Sequence, residues 1–169
     1  KLSGYETLRM LLCKKAILVE GPSDELIVQR AFMDKNSKLL PIEKEIDVIS
    51  VGLTFKRFLE IAVIIHNEVA VLTDNDGDYK AKIAKKYKDY SNNNTIKIFA
   101  DDRNTLNTLE PQLVDANKDN LKHLCNILQI NSDEFDTELK ISDYMKEHKT
   151  SYSLKIFNSE ETINYPKYI

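Results

Sequence analysis

Two aspartates separated by one residue follow an apolar segment near the middle of the chain. The segment runs from Val69 to Leu72, and Asp74 and Asp76 come directly after it. A short run rich in β-branched residues predicts a buried strand, and residues two apart in an extended chain point the same way. Carboxylates aimed at one point repel each other unless a cation lies between them. The pattern therefore predicts a site for Mg²⁺ or Mn²⁺, with a solvated Asn-Asp-Gly turn as the alternative.

A second pair of acidic residues follows another apolar run, Ala16 to Val19. Glu20 ends this predicted strand, and Gly21 and Pro22 then break it. Ser23 is the predicted N-cap of the next helix, whose first turn would hold Asp24. A helix dipole favours Asp24 there in any case, whereas Glu20 has no conformational reason to end a buried strand. Glu20 is thus the stronger functional candidate of the two.

The order of predicted elements explains how these distant residues would meet. Strands alternate with helices along the first hundred residues, and the predicted strands are Ala16 to Val19, Ile46 to Val51, Val69 to Leu72 and Ile96 to Phe99. Such alternation predicts an α/β fold with a parallel sheet of about four strands flanked by helices. The carboxyl ends of parallel strands lie at one edge, so Glu20, Asp24, Asp74 and Asp76 are expected to converge there.

The remaining predicted helices add charge and a further acidic candidate. Tyr79 to Tyr90 is predicted as a basic amphipathic helix that is either a solvated face or a support for a phosphate backbone. Glu110 is expected to join the carboxylate edge, held extended by Pro111. The chain then reads as a helical C-terminal part, with predicted helices at Leu113 to Leu128, Phe135 to Glu147 and around Leu154 to Phe157.

Composition limits the class of protein. The chain has 169 residues, 42% of them hydrophobic and 30% charged, which fits one domain. It shows no apolar run of roughly 20 residues and no secretion signal, and Cys13 and Cys125 resemble free thiols, so we expect a cytoplasmic protein without a membrane partner. The net charge is −3, and neutralising five carboxylates at a metal site would leave +2, which permits a phosphate-bearing partner.

The sequence lacks the motifs of several other kinds of functional site. The glycines at positions 4, 21, 52 and 77 form neither a P-loop nor a GxGxxG motif, so we expect no nucleotide on this segment. The three histidines lack zinc-ligand spacing. A haloacid-dehalogenase-like phosphatase remains an alternative, because Asp74-Asn75-Asp76-Gly77 fits its DxDG pattern. Asp78 departs from the Thr or Val expected next, and that pattern normally lies on the first strand of the domain.

Taken together, these segments resemble a Toprim domain of the overcoming-lysogenisation-defect (OLD) type of nuclease, a group that includes the nuclease subunit of Gabija anti-phage systems. The resemblance spans about residues 13 to 169 and is carried by short motifs in the family's order: Leu18-Val19-Glu20-Gly21-Pro22-Ser23-Asp24-Glu25, Val51-Gly52 with Phe55-Lys56-Arg57-Phe58, Leu72-Thr73-Asp74-Asn75-Asp76, Thr108-Leu109-Glu110-Pro111, and Lys149-Thr150-Ser151-Tyr152-Ser153-Leu154.

The resemblance implies a DNA endonuclease that uses two Mg²⁺ or Mn²⁺ ions. By similarity, Glu20, Asp74 and Asp76 would hold one ion, while Asp24 and Glu110 would hold the second with Thr108 nearby. Lys149 would contact the phosphate, with Lys155 as the fallback, so Glu20, Asp74, Asp76 and Lys149 are the implied catalytic residues. The departure at Lys149 is that Thr-Ser-Tyr-Ser follows where an alanine-rich helix start is commoner.

The resemblance also implies partners. Family members carry an ABC-type ATPase domain ahead of the Toprim module, and a chain that starts without Met on a helical pattern is expected to be an excerpt from such a protein. The implied partners are therefore DNA, that ATPase domain, further copies of the chain and a helicase-type protein. A regulatory Toprim module without catalytic activity is the third hypothesis.

Overall fold

Four parallel strands form the centre of the molecule in the computed structural model, which describes residues 4–169. They are β1 (Lys15–Val19), β2 (Ile46–Ser50), β3 (Glu68–Leu72) and β4 (Ile96–Phe99). Their order in the sheet is β2-β1-β3-β4, so the first and third strands lie in the middle. The predicted α/β fold is confirmed, because each apolar run forms a strand that lies within one or two residues of its predicted bounds.

Helices α1 (Gly4–Leu12) and α3 (Phe55–Ile65) contribute to the first hydrophobic core with the sheet. Phe55, Phe58, Leu59 and Ala62 of α3 are buried, as their helical spacing predicts. They share this core with Leu18 of β1 and Val71 of β3, among other strand residues. Residues 1–3, at the start of the helical pattern noted in the sequence, lie outside the described residues.

Helix α2 (Pro22–Lys35) joins the sheet to a second, helical core. Val28 packs with Val19 and Val48 of the sheet, while Ile27, one position earlier, belongs to the other core. That core is built from α4 (Leu109–Ala116), α5 (Leu121–Leu128), α6 (Glu138–Glu147) and α7 (Lys149–Asn158). The molecule therefore has two main packing units that meet at α2.

A buried arginine ties α2 to α7 and to the residues after it. The Arg30 side chain is almost fully buried and donates to the carbonyl oxygens of Ile156 at 2.7 Å and Phe157 at 3.1 Å. It also donates to the carbonyls of Ser159 and Glu161. These carbonyls lie at the end of α7 and just after it, where backbone acceptors lack the donors of a continuing helix, so Arg30 supplies donors there and fixes the position of α7.

Three local predictions were wrong. The N-cap of α2 is Gly21 rather than Ser23, and Pro22 takes the first helical position. The basic segment forms a π-helical turn at Lys80–Lys85 and a 3-10 turn at Lys88–Tyr90 instead of one regular helix. The predicted helix from 113 to 128 is divided, because Asn117 ends α4 and a 3-10 turn, Lys118–Asn120, precedes α5.

Within residues 4–169, none of the helices combines the length and the apolar character that crossing a bilayer requires.

Candidate metal centre

The register of the two central strands places Glu20 beside the first residues after β3. Leu18 of β1 lies opposite Val71 of β3, so the chain two residues later sets Glu20 next to Thr73. The Thr73 hydroxyl donates to Oε1 of Glu20 at 2.7 Å, and the Asp74 backbone N–H approaches the same oxygen at 3.4 Å. Glu20 is thus oriented by the neighbouring strand at the carboxyl edge of the sheet.

Asp24 reaches the same edge from the start of α2. The Gly21 backbone N–H donates to Oδ2 of Asp24 at 2.7 Å, which closes the helix start around the carboxylate. Glu20, Asp24 and Asp74 all line one cleft, together with Tyr168 from the C-terminal segment. Three of the predicted ligands therefore share a single cavity.

Burial and nearby negative charge make the Asp24 and Asp74 carboxylates costly to ionise. Burial, followed by the charges of Glu20, Asp24 and Glu110, raises the pKa of Asp74 to about 8. Burial is also the main cause that raises the pKa of Asp24 to about 6, although its hydrogen bond from Gly21 acts in the opposite direction. Shifts of this kind mark sites where a cation or a proton must compensate negative charge.

Glu110 joins the cluster from the first turn of α4, where it is only 2% exposed. The expectation that Pro111 holds it extended was wrong: proline is tolerated in the first turn of a helix, whose N–H groups have no intrahelical partner. Oε1 of Glu110 lies 3.2 Å from Nζ of Lys149 and 3.5 Å from the Tyr152 hydroxyl. Oε2 is buried without a hydrogen-bond partner, as is the hydroxyl of Thr108, the N-cap of α4.

The structure distinguishes Lys149 from Lys155, the two candidates for contacting the phosphate. Burial lowers the pKa of Lys149, but the charges of Glu110, Asp24 and Asp74 outweigh burial and raise it overall, so this lysine stays positively charged beside the cluster. Lys155 instead donates to the Leu128 carbonyl at 2.7 Å and to the Tyr144 hydroxyl. Of the two lysines, Lys149 is the one beside the carboxylates.

Asp76 does not point into the cluster. The extended chain ends before it, and Asp76 adopts a left-handed backbone with φ of 49°. Its backbone N–H donates to the Asn107 carbonyl at 3.1 Å, and its half-exposed carboxylate lies 3.5 Å from Nζ of Lys82. The assumption that alternate residues keep one direction therefore fails between Asp74 and Asp76.

The reason for this turn is Asn75, which sequence reasoning did not single out. Its buried side-chain amide donates to the carbonyl oxygens of Asp101, Arg103 and Leu106, and its Oδ1 accepts from the Gly77 N–H at 2.8 Å. Asn75 thereby attaches the turn after β3 to the 101–107 loop. An asparagine between two acidic ligands was the available signal, but its partners are distant in sequence.

Two tyrosines near the cluster were also missed as functional candidates. Tyr152 is fully buried, and burial together with the charge of Glu110 raises the pKa of its hydroxyl well above the usual range. Burial and the charges of Asp74 and Asp24 likewise raise the pKa of Tyr168, whose hydroxyl donates to Gln112. Both phenols therefore remain protonated donors beside the acidic cleft.

The donor set suits a hard divalent cation, although its side chains are not arranged as a finished ligand shell. Across residues 4–169, no three His, Cys, Asp or Glu side chains form a ready-made metal site. Glu20 accepts from Thr73 through Oε1 alone, whereas the Asp76 carboxylate lies beside Lys82, so its predicted ligand role requires the Asp76 side chain to rotate. The unpartnered oxygens of Glu110 and Thr108 are nevertheless the kind of ligand that Mg²⁺ and Mn²⁺ accept. The ligand roles remain predictions.

Comparison with known proteins agrees with the fold. Residues 11–76 match the family described as overcoming lysogenization defect protein-like, TOPRIM domain. The chain is also similar to a solved structure, the C-terminal region of the Xanthomonas campestris pv. campestris OLD protein. The TM-score is 0.61 and the identity 16%, over 95% of this chain and 90% of that one. At that identity the likeness shows a common fold alone. No curated protein matches the chain.

Proposed function

We propose that the chain is a Mg²⁺- or Mn²⁺-dependent endonuclease module that cleaves phosphodiester bonds of DNA, because residues 11–76 match the OLD-like TOPRIM family. Toprim domains generally bind divalent metals and typically act on nucleic acids. The proposal assigns one ion to Glu20, Asp74 and Asp76. It assigns a second ion to Asp24 and Glu110, with Thr108 beside it.

A single observation carries the proposal. Carboxylates that follow β1 and β3 lie near carboxylates in the first turns of α2 and α4, and two of them, Asp24 and Asp74, have raised pKa values. Burying several like charges together lowers the stability of the folded protein, because each charge loses its hydration and repels the others. Bound divalent ions would remove both penalties, and two ions would stabilise the attacking and leaving oxygens of a phosphodiester displacement.

The chain's own residues would orient the substrate. Lys149 extends from the start of α7 with its side chain 56% exposed, so its ammonium can neutralise a phosphoryl oxygen as negative charge develops. Exposed lysines also follow the Asp74–Asp76 turn, at positions 80, 82, 85 and 88. These lysines would contact the phosphate backbone, which positions a nucleic acid without reading its bases. Cleavage by this module should therefore show little sequence preference.

The proposal extends to the surroundings of the module. It includes an ABC-type ATPase domain ahead of this chain in the same protein, association with further copies, and a helicase-type partner. It also places the protein in the cytoplasm as part of an anti-phage nuclease. The resemblance to OLD and Gabija nucleases implies these features.

The test is cleavage of supercoiled plasmid by the purified protein in Mg²⁺, Mn²⁺ or EDTA. We expect nicking in either metal, none in EDTA, and loss of nicking in Glu20→Gln and Asp76→Asn. Asp133→Asn is the matched control, because Asp133 is an exposed aspartate in the turn before α6. Cleavage that persists in EDTA, or in both site variants, would refute the proposal.

The two alternative functions predict different results for the same variants and metals. A haloacid-dehalogenase-like phosphatase would hydrolyse a small phosphoester, lose turnover in Asp74→Asn and tolerate Glu20→Gln. A regulatory module would cleave nothing in any metal and would show no metal-dependent rise in melting temperature.

A further inference from the structure

Glu110 is held through one carboxylate oxygen by two residues of the same helix. Lys149 and Tyr152 lie three positions apart on α7, so both point to one face, and both reach Oε1 of Glu110. The Lys149 ammonium lies at 3.2 Å and the Tyr152 hydroxyl at 3.5 Å. The two donors therefore leave the second carboxylate oxygen, Oε2, without a partner.

The second oxygen of Glu110, Oε2, is free to bind a ligand. Oε2 of Glu110 is buried and unpartnered, and the Thr108 hydroxyl, two residues earlier at the N-cap of α4, is buried and unpartnered as well. A buried carboxylate oxygen without a hydrogen bond costs several kcal/mol on the usual scale, so folded proteins rarely retain one without a compensating group. The arrangement presents Oε2 for a bond that the chain itself does not supply.

The two donors differ in how firmly they are placed. Tyr152 is 0% exposed and packs in the helical core, and its helix is anchored by the bonds from Arg30 to the Ile156 and Phe157 carbonyls. Lys149 is more than half exposed on a flexible stem. When Lys149 turns to a phosphate, as the proposed function requires, Tyr152 is the donor that still restrains Glu110.

We propose that Tyr152 is a positioning residue that fixes Oε1 of Glu110 and so aims Oε2 at the divalent cation of the second site. Lys149, in contrast, serves the nucleic-acid phosphate. The inference rests on the proposed function, because it requires that Glu110 holds an ion. Partners of this kind orient metal ligands, and their loss typically weakens metal binding by about 10- to 100-fold.

The test compares variants by calorimetric titration with Mg²⁺ and with Mn²⁺ alone, in the purified protein. We expect Tyr152→Phe to keep two ions but to bind one of them at least about 10-fold more weakly. Lys149→Met removes a positive charge 3.2 Å from the same oxygen, Oε1 of Glu110, so it should not weaken metal binding, yet it should weaken the binding of a DNA duplex measured in Ca²⁺. p-Aminophenylalanine at position 152 restores an N–H donor and should recover the lost metal affinity.

Tyr165→Phe is the matched control. Its hydroxyl donates to Oδ2 of Asp34 at 2.7 Å, so this variant also loses a phenol–carboxylate hydrogen bond, but outside the cleft. We expect it to lower the melting temperature and to leave both metal affinities unchanged. If Tyr152→Phe affects only the melting temperature, as Tyr165→Phe does, Tyr152 is a packing residue and the inference is wrong.

Glu110→Gln separates the failure of this inference from failure of the proposed function. Loss of one ion in Glu110→Gln, combined with unchanged metal binding in Tyr152→Phe, would overturn the positioning role alone. Unchanged metal binding in Glu110→Gln and also in Glu20→Gln would overturn the metal centre itself, and with it the role of Tyr152.

Discussion

The Thr73 hydroxyl donates a hydrogen bond of 2.7 Å to Oε1 of Glu20, across the two central strands of the sheet. Glu20 and Glu110 are therefore each restrained at one oxygen by a neutral hydroxyl donor, Thr73 in the first case and Tyr152 in the second. The two acidic residues come from different packing units but are oriented in the same manner.

The first prediction concerns this hydrogen bond. Thr73→Val keeps the shape of the side chain and removes the donor, so Glu20 loses its fixed orientation. We expect one Mg²⁺ affinity to fall by about 10-fold and the free energy of unfolding in EDTA to fall by about 1 kcal/mol. Calorimetric titration and urea unfolding measure the two effects. Thr95→Val, at the opposite end of the sheet, should leave Mg²⁺ binding intact, and equal affinities in both variants would contradict the prediction.

The second prediction concerns Asn75. Its side chain is fully buried and joins the turn after β3 to three carbonyls of the 101–107 loop. Asn75→Ala leaves these groups unpaired, so we expect a loss of about 2–4 kcal/mol in the free energy of unfolding. Urea denaturation of this variant beside Asn92→Ala, an exposed asparagine, measures the loss. A cost below about 0.5 kcal/mol would show that the loop holds itself without Asn75.

The third prediction is a pH dependence of stability without metal. The pKa of Asp74 is about 8 and that of Asp24 about 6 in the folded protein, against 3.8 ordinarily. Between pH 4 and 8 the folded state therefore binds more protons than the unfolded state, and stability must fall as pH rises. The Asp74 shift alone corresponds to a loss of about 4 kcal/mol between pH 5 and 8.5, which would lower the melting temperature in EDTA by roughly 8–16 °C.

Divalent metal should reverse this trend, because ions and protons compete for the same oxygens. The rise in melting temperature caused by Mg²⁺ should grow from pH 5.5 to pH 8.5. Asp74→Asn should flatten the decline in EDTA, whereas Asp133→Asn should keep it. A melting temperature in EDTA that rises over this range would contradict the assignment of buried, protonated carboxylates.

The fourth prediction concerns the ion pair between Lys82 and Asp76. Both side chains are about half exposed, so the pair contributes at most about 1 kcal/mol. Lys82→Ala should release Asp76 and tighten Mg²⁺ binding by up to about 5-fold. The same variant should bind DNA more weakly, and the slope of its log binding constant against log salt concentration should fall by about one in magnitude. Calorimetry and fluorescence anisotropy measure these opposite effects. Lys122→Ala, on the exposed face of α5, is the control. Weaker Mg²⁺ binding in Lys82→Ala would show that Lys82 positions Asp76 rather than competing for it.

Local sequence was sufficient for the sheet and for the edge where the acidic residues meet. The strands are short apolar runs, and a parallel order places their carboxyl ends together, so Glu20 and Asp74 follow from pattern alone. The position of Asp24 could also be predicted from local sequence, because a carboxylate in the first turn of a helix interacts favourably with the helix start.

The direction of Asp76 and the shape of the basic segment were not accessible from local sequence. Asp76 turns away because Asn75 is bound to carbonyls about 30 residues later, which no local pattern reports. The segment after it winds as a π-helical turn, whose start is fixed by the Asp78 side chain accepting from the Ala81 N–H. Tyr152 was missed because a buried tyrosine on a helix has the same spacing as an ordinary core residue.

The division of the interior into two cores has a consequence for the distance between the ions. The ligands of the first ion extend from the sheet, whereas Glu110 and Thr108 of the second belong to the helical core, and α2 contributes to both. If the proposed ions bind, their separation would depend on how the sheet and the helical core pack against each other. Arg30, which joins α2 to α7 far from the cleft, would then influence that separation.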